Sequence, residues 1–377
     1  MPLSEKSIMS QRVEFVMLFE QEGVNRRELC RRFGISPTIG YRLLARYRQE
    51  GKAGLTDRSR RPQHSPARSS AAIEGLVLAV RDEHPAWGGR KIRRRLQDLE
   101  HQPAPSASTI TAILDRHGRI DRVASAGHKP FERFERAAPN ELWQMDYKGH
   151  FATTAGRCHP LTVVDDHSRY AVGLRACGDE REGTVQAELT ALFRRYGLPD
   201  RMLMDNGAPW GSDALHRHTW LTVWLLELGI GVSHGRPYHP QTQGKDERFH
   251  RTLKAEVIGR RAFADLAECQ RRFDDWRVIY NTQRPHEAID LATPAARYRP
   301  SGRGFPETIE PFDYGPGAIV RRVDEGGWLS FQNRPVKLGR AFAYRRVALR
   351  PTEQDGGFDV LFCAHPVGAL DLRQAAP

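Results

Sequence analysis

Long apolar runs are absent from this 377-residue sequence. The longest apolar window, Trp220 to Val232, is broken by Glu227 and falls short of the roughly 20 residues that a membrane helix needs. No membrane partner is therefore expected. An apolar leader followed by small residues is also missing near Met1, which points to a cytoplasmic location. Cysteine is scarce: Cys30, Cys158, Cys177, Cys269 and Cys363 lie far apart with no Cys-x-x-Cys pair, which argues against a zinc ribbon and a disulfide scaffold. His216, His218, His234, His239 and His250 lack zinc-site spacing and any cysteine partner, so they read as core or surface residues.

Positive charge is what the chain has in excess, at net +12. It is unevenly placed. Residues 1–138 carry 26 Lys and Arg against 16 Asp and Glu, residues 139–300 carry 22 against 21, and residues 301–377 carry 10 against 9. A basic arm thus precedes a nearly neutral body, which suits a polyanionic partner such as double-stranded DNA.

Within the arm, Gln11 to Glu22 offers Val13, Val16 and Met17 at helical spacing, and Arg26 to Phe33 places Leu29 and Phe33 on one face. Gly34 breaks the pattern, and Ser36-Pro37 opens a third helix, the hydroxyl capping an orphan N–H and the proline having none to lose. Ile39, Leu43 and Tyr47 line its inner face, leaving Thr38, Tyr41, Arg42 and Arg46 outward as DNA contacts. This is a helix-turn-helix layout over 1–50; a helical bundle with a solvated basic face is the alternative. Residues 51–70 read as a basic linker. A second helical unit spans 71–119, with stripes Ile73/Leu76/Val77/Val80, Ile92/Leu96/Leu99 and Ile110/Ile113/Leu114. Arg90, Lys91 and Arg94 are expected to point cations outward to DNA; packing alone is again the alternative. A linker follows over 120–138.

Strand signals begin at Asn140. Trp143, Met145 and Tyr147 alternate with Gln144, Asp146 and Lys148. Leu161–Val164 and Tyr170–Leu174 flank Asp165-Asp166-His167-Ser168 as a hairpin. Thr184–Tyr196 reads as a helix, Arg201–Met204 as a strand ending at Asp205-Asn206-Gly207, Ser212–Leu228 as a helix and Ile230–Ser233 as a strand. The polar loop 236–244 leads into a helix over Lys245–Arg260, and Phe263–Tyr280 forms the last amphipathic helix. Asp146 would then lie within a strand, Asp205 at a strand end and Glu247 in the first turn of a helix; such carboxylates, if they converge with open positions, suit Mg2+ or Mn2+. Two such ions per active site stabilise both the attacking and leaving oxygens of a phosphodiester displacement. Singly, each carboxylate has a structural explanation: Asp205 as a turn residue, Glu247 as a helix-dipole partner.

Four segments together change that balance. Trp143-Gln-Met-Asp146-Tyr147, Leu161-Thr-Val-Val-Asp165-Asp166-His-Ser-Arg169, Asp205-Asn206-Gly207 and His239-Pro-Gln-Thr-Gln-Gly244-Lys245-Asp246-Glu247-Arg-Phe-His-Arg-Thr-Leu-Lys254 resemble, in order, the core of DDE transposases. The chain is similar to bacterial insertion-sequence transposases with a retroviral-integrase-like core. The likeness is strong over 139–300, and the arm with Leu55–Pro62 also fits. It implies an RNase H-like α/β core of mixed sheet and flanking helices, a metal-binding triad of Asp146, Asp205 and Glu247, and DNA contacts from Asn206, Lys245, Arg251 and Lys254. Glu247 and Lys254 are seven residues apart, about 20° short of two helical turns, and so share a face. The 41 residues between Asp205 and Glu247 exceed the spacing in many relatives, which makes Asp246 the competitor for the third place. The extra length is expected in His216–Trp224.

Gln283-Arg-Pro-His286-Glu287 resembles the segment that trails the core in that family. Residues 301–377 read as a small β-barrel-like domain, with Ala318–Arg321, Trp328–Phe331, Arg346–Leu349 and Phe358–Phe362 around Gly-rich turns. The expected activity is metal-dependent cleavage and strand transfer at transposon ends and target. A homo-oligomer, at least a dimer on DNA, would do this while associated with the nucleoid. The alternatives are a non-catalytic regulator derived from a transposase and an RNase H-type nuclease.

Overall fold

A computed structural model describes residues 7–58, 68–120, 135–211, 218–235 and 244–373. Parts of the expected linkers (59–67 and 121–134), the start of the expected helix (212–217) and the polar loop (236–243) lie outside the described residues. The chain divides into two compact units, Met1–Arg68 and Ser69–Pro377. Among the described residues no helix is long and apolar enough to cross a membrane.

The first unit holds α1 (Ile8–Phe19), α2 (Arg26–Arg32) and α3 (Pro37–Glu50). Ser36 caps α3 by accepting from the Ile39 N–H, with Pro37 at the first turn, as expected. The inner faces differ from expectation by a fraction of a turn. Phe15, Val16 and Phe19 are the buried residues of α1, and Met17 is 59% exposed. On α3, Gly40, Leu43 and Leu44 face inward and Ile39 is exposed. Gly40 decides this: a Cβ there would lie 2.9 Å from Cys30 Sγ and 3.0 Å from the Phe15 ring, so α3 makes its closest approach where there is no side chain. A 3-10 turn at Gly51–Leu55 follows, and Leu55 is fully buried in the same cluster.

In the second unit, α4 (Ala71–Glu83), α5 (Gly89–Asp98) and α6 (Ala107–Arg116) enclose Val77, Val80, Trp87, Ile92, Leu96, Ile110, Ile113 and Leu114. Leu99 is 44% exposed, contrary to its expected place in the α5 stripe, and Trp87, stacked on His84, fills the core instead.

The body that follows runs β1 (Trp143–Tyr147), β2 (Phe151–Thr153), β3 (Gly156–Asp165), β4 (Ala171–Cys177), α7 (Glu182–Tyr196), β5 (Arg201–Met204), α8 (Trp220–Glu227), β6 (Gly231–His234), α9 (Gly244–Glu256), α10 (Leu266–Thr282) and a short α11 (Pro294–Arg297). Strand order is β2-β3-β1-β5-β6, with β4 on the other side of β3. β1 to β4 pair antiparallel, whereas β5 is parallel to both β1 and β6. Such parallel neighbours need crossover helices, supplied here by α7 and α8. One face of the sheet packs Trp143, Met145 and Met202 against Val185, Leu189 and Phe193 of α7. The other packs Val164 and Leu174 against Phe249 and Leu253 of α9 and Phe273 and Trp276 of α10. This is the expected α/β layering of an RNase H-like integrase core. The helix expected from Ser212 begins instead at Trp220, where Thr219 and Thr222 form a reciprocal cap.

Beyond the core come β7 (Ile319–Arg322), β8 (Trp328–Phe331), β9 (Arg334–Lys337), β10 (Arg346–Pro351), β11 (Gly357–Phe362) and β12 (His365–Asp371). The barrel-like domain takes the form of an antiparallel sheet, β12-β11-β10-β7, and a β8-β9 hairpin. Its apolar interior includes Val223 and Leu226 of α8, while Leu221 and Leu225 of the same helix face the core. The apolar window around Trp220 is thus explained: α8 is buried on two sides.

Candidate active site

The parallel ladder between β1 and β5 pairs Trp143 with Met202 and Gln144 with Leu203. Asp146 lies two residues beyond that ladder in β1, and Asp205 immediately follows the end of β5. Burial, then the negative charge of Asp205, push the Asp146 carboxyl up to about 7, with Glu180 and Glu247 adding to the effect. Asp146 therefore feels the charge of both other carboxylates expected to act with it.

Asp205 is held by its own turn. Its Oδ1 accepts from the Gly207 N–H at 3.0 Å and from the Trp210 indole N–H. Trp210 is buried and stacked on Tyr147, with ring centroids 5.3 Å apart. His234 Nδ1 lies 2.8 Å from the Asp205 carbonyl, and Asn206 donates its amide to the Gly235 carbonyl at 2.8 Å, tying the ends of β5 and β6 together.

The third carboxylate comes from α9, whose inner face carries Phe249, Leu253 and, just beyond its end, Val257, as expected. Glu247 is exposed in the first turn, and Arg251 and Lys254 are exposed with it. Asp246 is only 2% exposed, and its Oδ1 has no hydrogen-bond partner among the described residues. Burial and the charges of Asp146 and Asp166 raise its carboxyl well above the usual range. A solvent-facing Glu247 can meet a substrate; Asp246 is enclosed.

Lys245 departs from expectation. It turns inward to an ion pair with the fully buried Asp166, whose oxygens also accept from Gln144 Nε2 at 2.7 Å and from the Arg136 N–H at 2.8 Å. Lys245 thus fastens the start of α9 to the β3–β4 turn. Asp165 serves that turn too, accepting from the Ser168 N–H and hydroxyl and the Asn140 N–H.

Among the remaining expected contacts, Thr38, Tyr41 and Arg42 are exposed on α3. Arg46 is half-buried and donates to the Thr56 carbonyl, which draws it along its own unit. Arg90 is exposed and 3.7 Å from Glu287, and Arg94 pairs with Asp98 at 2.8 Å. Lys91 contradicts the outward reading. Burial lowers its ammonium to about 8, with Arg284 contributing and Glu256 opposing, because α5 packs on the core. Ile279 joins the apolar cluster of α4–α6, and Arg95 donates to Gln283 Oε1 at 2.9 Å.

Two residues near the carboxylates escaped the sequence reading. Trp210 carries no motif signal. His250 had one, standing three residues after Glu247; its Nε2 lies 2.8 Å from Thr162 Oγ1 and its Nδ1 3.9 Å from Asp146 Oδ2.

The donor set fits a hard divalent ion, since carboxylate oxygens predominate and their mutual repulsion at Asp146 is what a cation relieves. Among the described residues no group of three or more His, Cys, Asp or Glu side chains is arranged to hold a metal ion.

Comparison with known proteins agrees with this arrangement. Integrase core domain families match residues 136–240 and 228–294, and the IS481 family transposase C-terminal domain matches 318–377. A helix-turn-helix domain matches 11–63 and a homeodomain-like domain 39–114. The chain is 27% identical over 259 residues to the uncharacterized 39.2 kDa protein of insertion element IS476 from Xanthomonas euvesicatoria, covering 66% of this chain and 71% of that one. It is 25% identical over 291 residues to the transposase for IS629 from Shigella sonnei, covering 74% and 92%. The HTLV-2 integrase catalytic core solved with magnesium superposes with a TM-score of 0.33 at 14% identity, covering 43% of this chain and 99% of that one. The chain thus carries helix-turn-helix domains, an integrase core and an IS481-type transposase C-terminal domain in succession, and is similar to insertion-sequence transposases.

Proposed function

We propose that this protein is the transposase of its own insertion element, binding the terminal inverted repeats and cutting and joining DNA strands with Asp146, Asp205 and Glu247. The observation that supports the reading is that the Asp146 carboxyl is raised by burial and by the charges of Asp205, after β5, and Glu247, at the start of α9. Those three residues would hold Mg2+ or Mn2+, two ions per site. When bound, such ions neutralise charge building on the phosphate oxygens.

The chain's own part is placement. The Trp210 and Gly207 donors fix the Asp205 carboxylate, and the Lys245–Asp166 pair fixes the first turn of α9. Arg251 and Lys254, on the same helix face as Glu247, would hold DNA phosphates against the site. Asn206 would lie along the same DNA path. In the first step water attacks phosphorus in line, the bond to the 3′-oxygen breaks, and a 3′-hydroxyl is freed. In the second that hydroxyl attacks a target phosphodiester, and the target's own 3′-oxygen leaves with the proton. Thr38, Tyr41 and Arg42 would read the repeat from α3, with Arg90 and Arg94 adding phosphate contacts. At least two copies would assemble on DNA, one for each element end.

The test is cleavage and joining of a labelled duplex carrying the element's own end, in Mg2+ or Mn2+. Wild type is expected to cut and join; Asp146→Asn, Asp205→Asn and Glu247→Gln are expected to bind the duplex and lose both steps by about 1000-fold or more. Binding without cutting by wild type would make the protein a regulator instead. Full activity in Glu247→Gln would remove that residue from the triad.

A further inference from the structure

The segment after α10, Gln283-Arg-Pro-His286-Glu287, has no part in the carboxylate site, yet its polar side chains are engaged. Arg284 is buried; its Nε donates to Glu256 Oε1 at 3.2 Å, and its guanidinium lies over the Tyr280 ring. The buried His286 ring stands edge-on to the same tyrosine. Glu256 also accepts from the Trp276 indole N–H at 2.7 Å. It closes α9, the helix whose first turn carries Glu247, about 13.5 Å away along the axis. The segment is thus clamped to the far end of the helix that presents the third carboxylate.

Its other side meets the second helical unit. Ile92 and Leu96 turn α5 into its own cluster, while Lys91 and Arg95, one turn apart, line the face toward the core. Arg95 Nη2 donates to Gln283 Oε1 at 2.9 Å, and Arg90 stands 3.7 Å from Glu287. Ile279 of α10 packs into the apolar cluster of α4–α6. Burial lowers the Lys91 ammonium to about 8, and the Glu256 and Glu287 charges offset part of that cost. A cavity of about 190 Å3 continues the seam, lined by Glu83 and His84 on one side and by Glu256, Trp276 and Ile279 on the other. From α5 the fastening passes to α6. A Cβ at Gly89 would lie 2.4 Å from the Ala107 carbonyl oxygen, so the two helices meet backbone to backbone. α6 is the last helix of the unit, the place from which a helix-turn-helix reads a major groove, and it exposes Ser108, Thr111 and Ala112.

We propose that α4–α6 is a spacer seated on the core, which holds α6 on the element end at a set distance from Asp146, Asp205 and Glu247 and so selects the phosphodiester that is cut. The inference rests on the transposase reading above and adds to it what fixes the position of the cut. Arg95 and Gln283 are positioning residues, acting through the run of packed groups from α5 through Glu256 to α9. A unit held only by its tether would let the end slide against the carboxylates, and a shift of about 1 Å at a reacting centre can cost about 100-fold in rate.

Two measurements on the full chain test this. The five native cysteines are buried, so spin labels can be placed on Ala72→Cys of α4 and Arg271→Cys of α10, both exposed positions. Pulsed dipolar spectroscopy without DNA is expected to give one narrow distance, which Arg95→Ala and Gln283→Ala broaden. Cut sites are then mapped to the nucleotide on a labelled duplex carrying the element's own end, where wild type is expected to cut at one position. The same two variants should bind the duplex within about threefold of wild type, cut that position about tenfold more slowly, and cut its neighbours as well. The exchange of Arg95→Gln with Gln283→Arg restores the hydrogen bond in reverse and should recover the single position. A broad distance in wild type, one unaltered cut position in both single variants, or a spread that the exchange leaves uncorrected overturns the proposal while leaving the carboxylates standing. A wild type that shows the narrow distance and binds without cutting overturns the transposase reading itself, and the spacer role with it.

Discussion

The two faces of α9 are of opposite character. Asp246 and Glu247 are adjacent in the chain and of the same charge, yet one is enclosed and the other meets solvent. The enclosed face continues through Phe249 and Leu253 into the sheet; the open face continues through Arg251 to Lys254. A turn of about 100° per residue separates structural from chemical duty. The inner face sets where α9 lies, and the outer face acts from wherever that is.

Substitutions on the two faces should therefore fail differently. The largest effect is expected from Glu247→Gln, which should lose about 1000-fold or more in strand joining while its melting temperature stays within a degree or two of wild type. A matching loss of stability would show that the outer face also holds the fold. Phe249→Ala should do the reverse. It should cost about 3–5 kcal/mol in denaturant unfolding, and the folded fraction should retain its affinity for Mn2+.

Asp246→Asn tests the enclosed acid through pH. The folded carboxyl is raised, so above the ordinary aspartate range the unfolded chain ionises while the folded one keeps its proton. Wild type should then lose stability as pH rises above the ordinary aspartate range. The asparagine variant should show a flatter profile; an unchanged profile would mean that Asp246 is not the group responsible. The smallest effect belongs to Lys254→Ala. It should weaken DNA binding severalfold and reduce the slope of log affinity against log salt by about one, with no change in melting temperature.

How far the sequence could be read depended on how far away each residue's partner lies. The β1, β3, β4 and β5 strands follow from local alternation and turn residues, and the Ser36-Pro37 helix start is legible from two adjacent side chains. The inner stripe Phe249, Leu253 and Val257 follows from helical period alone. The Lys245–Asp166 pair is hidden in the sequence because Asp166 stands 79 residues away, and nothing near Lys245 announces a buried anion. Lys91 looked like its arginine neighbours until α5 met the end of α10. His250 reads like the other histidines in sequence, since Thr162, whose hydroxyl meets its ring, lies 88 residues earlier in the chain. Gly40 shows the same limit on a smaller scale: a stripe of large residues predicted the inner face of α3, and a missing side chain decided it.

The double burial of α8 has a consequence for how the molecule comes apart. Leu221 and Leu225 belong to the interior of the core, and Val223 and Leu226 to that of the C-terminal sheets, so one short helix is a wall shared by two rooms. Removing the sheets would leave that wall apolar and wet, inviting self-association of the truncated protein. Heating the intact chain should melt core and sheets in one calorimetric transition, because neither interior is closed without the helix that the other also needs.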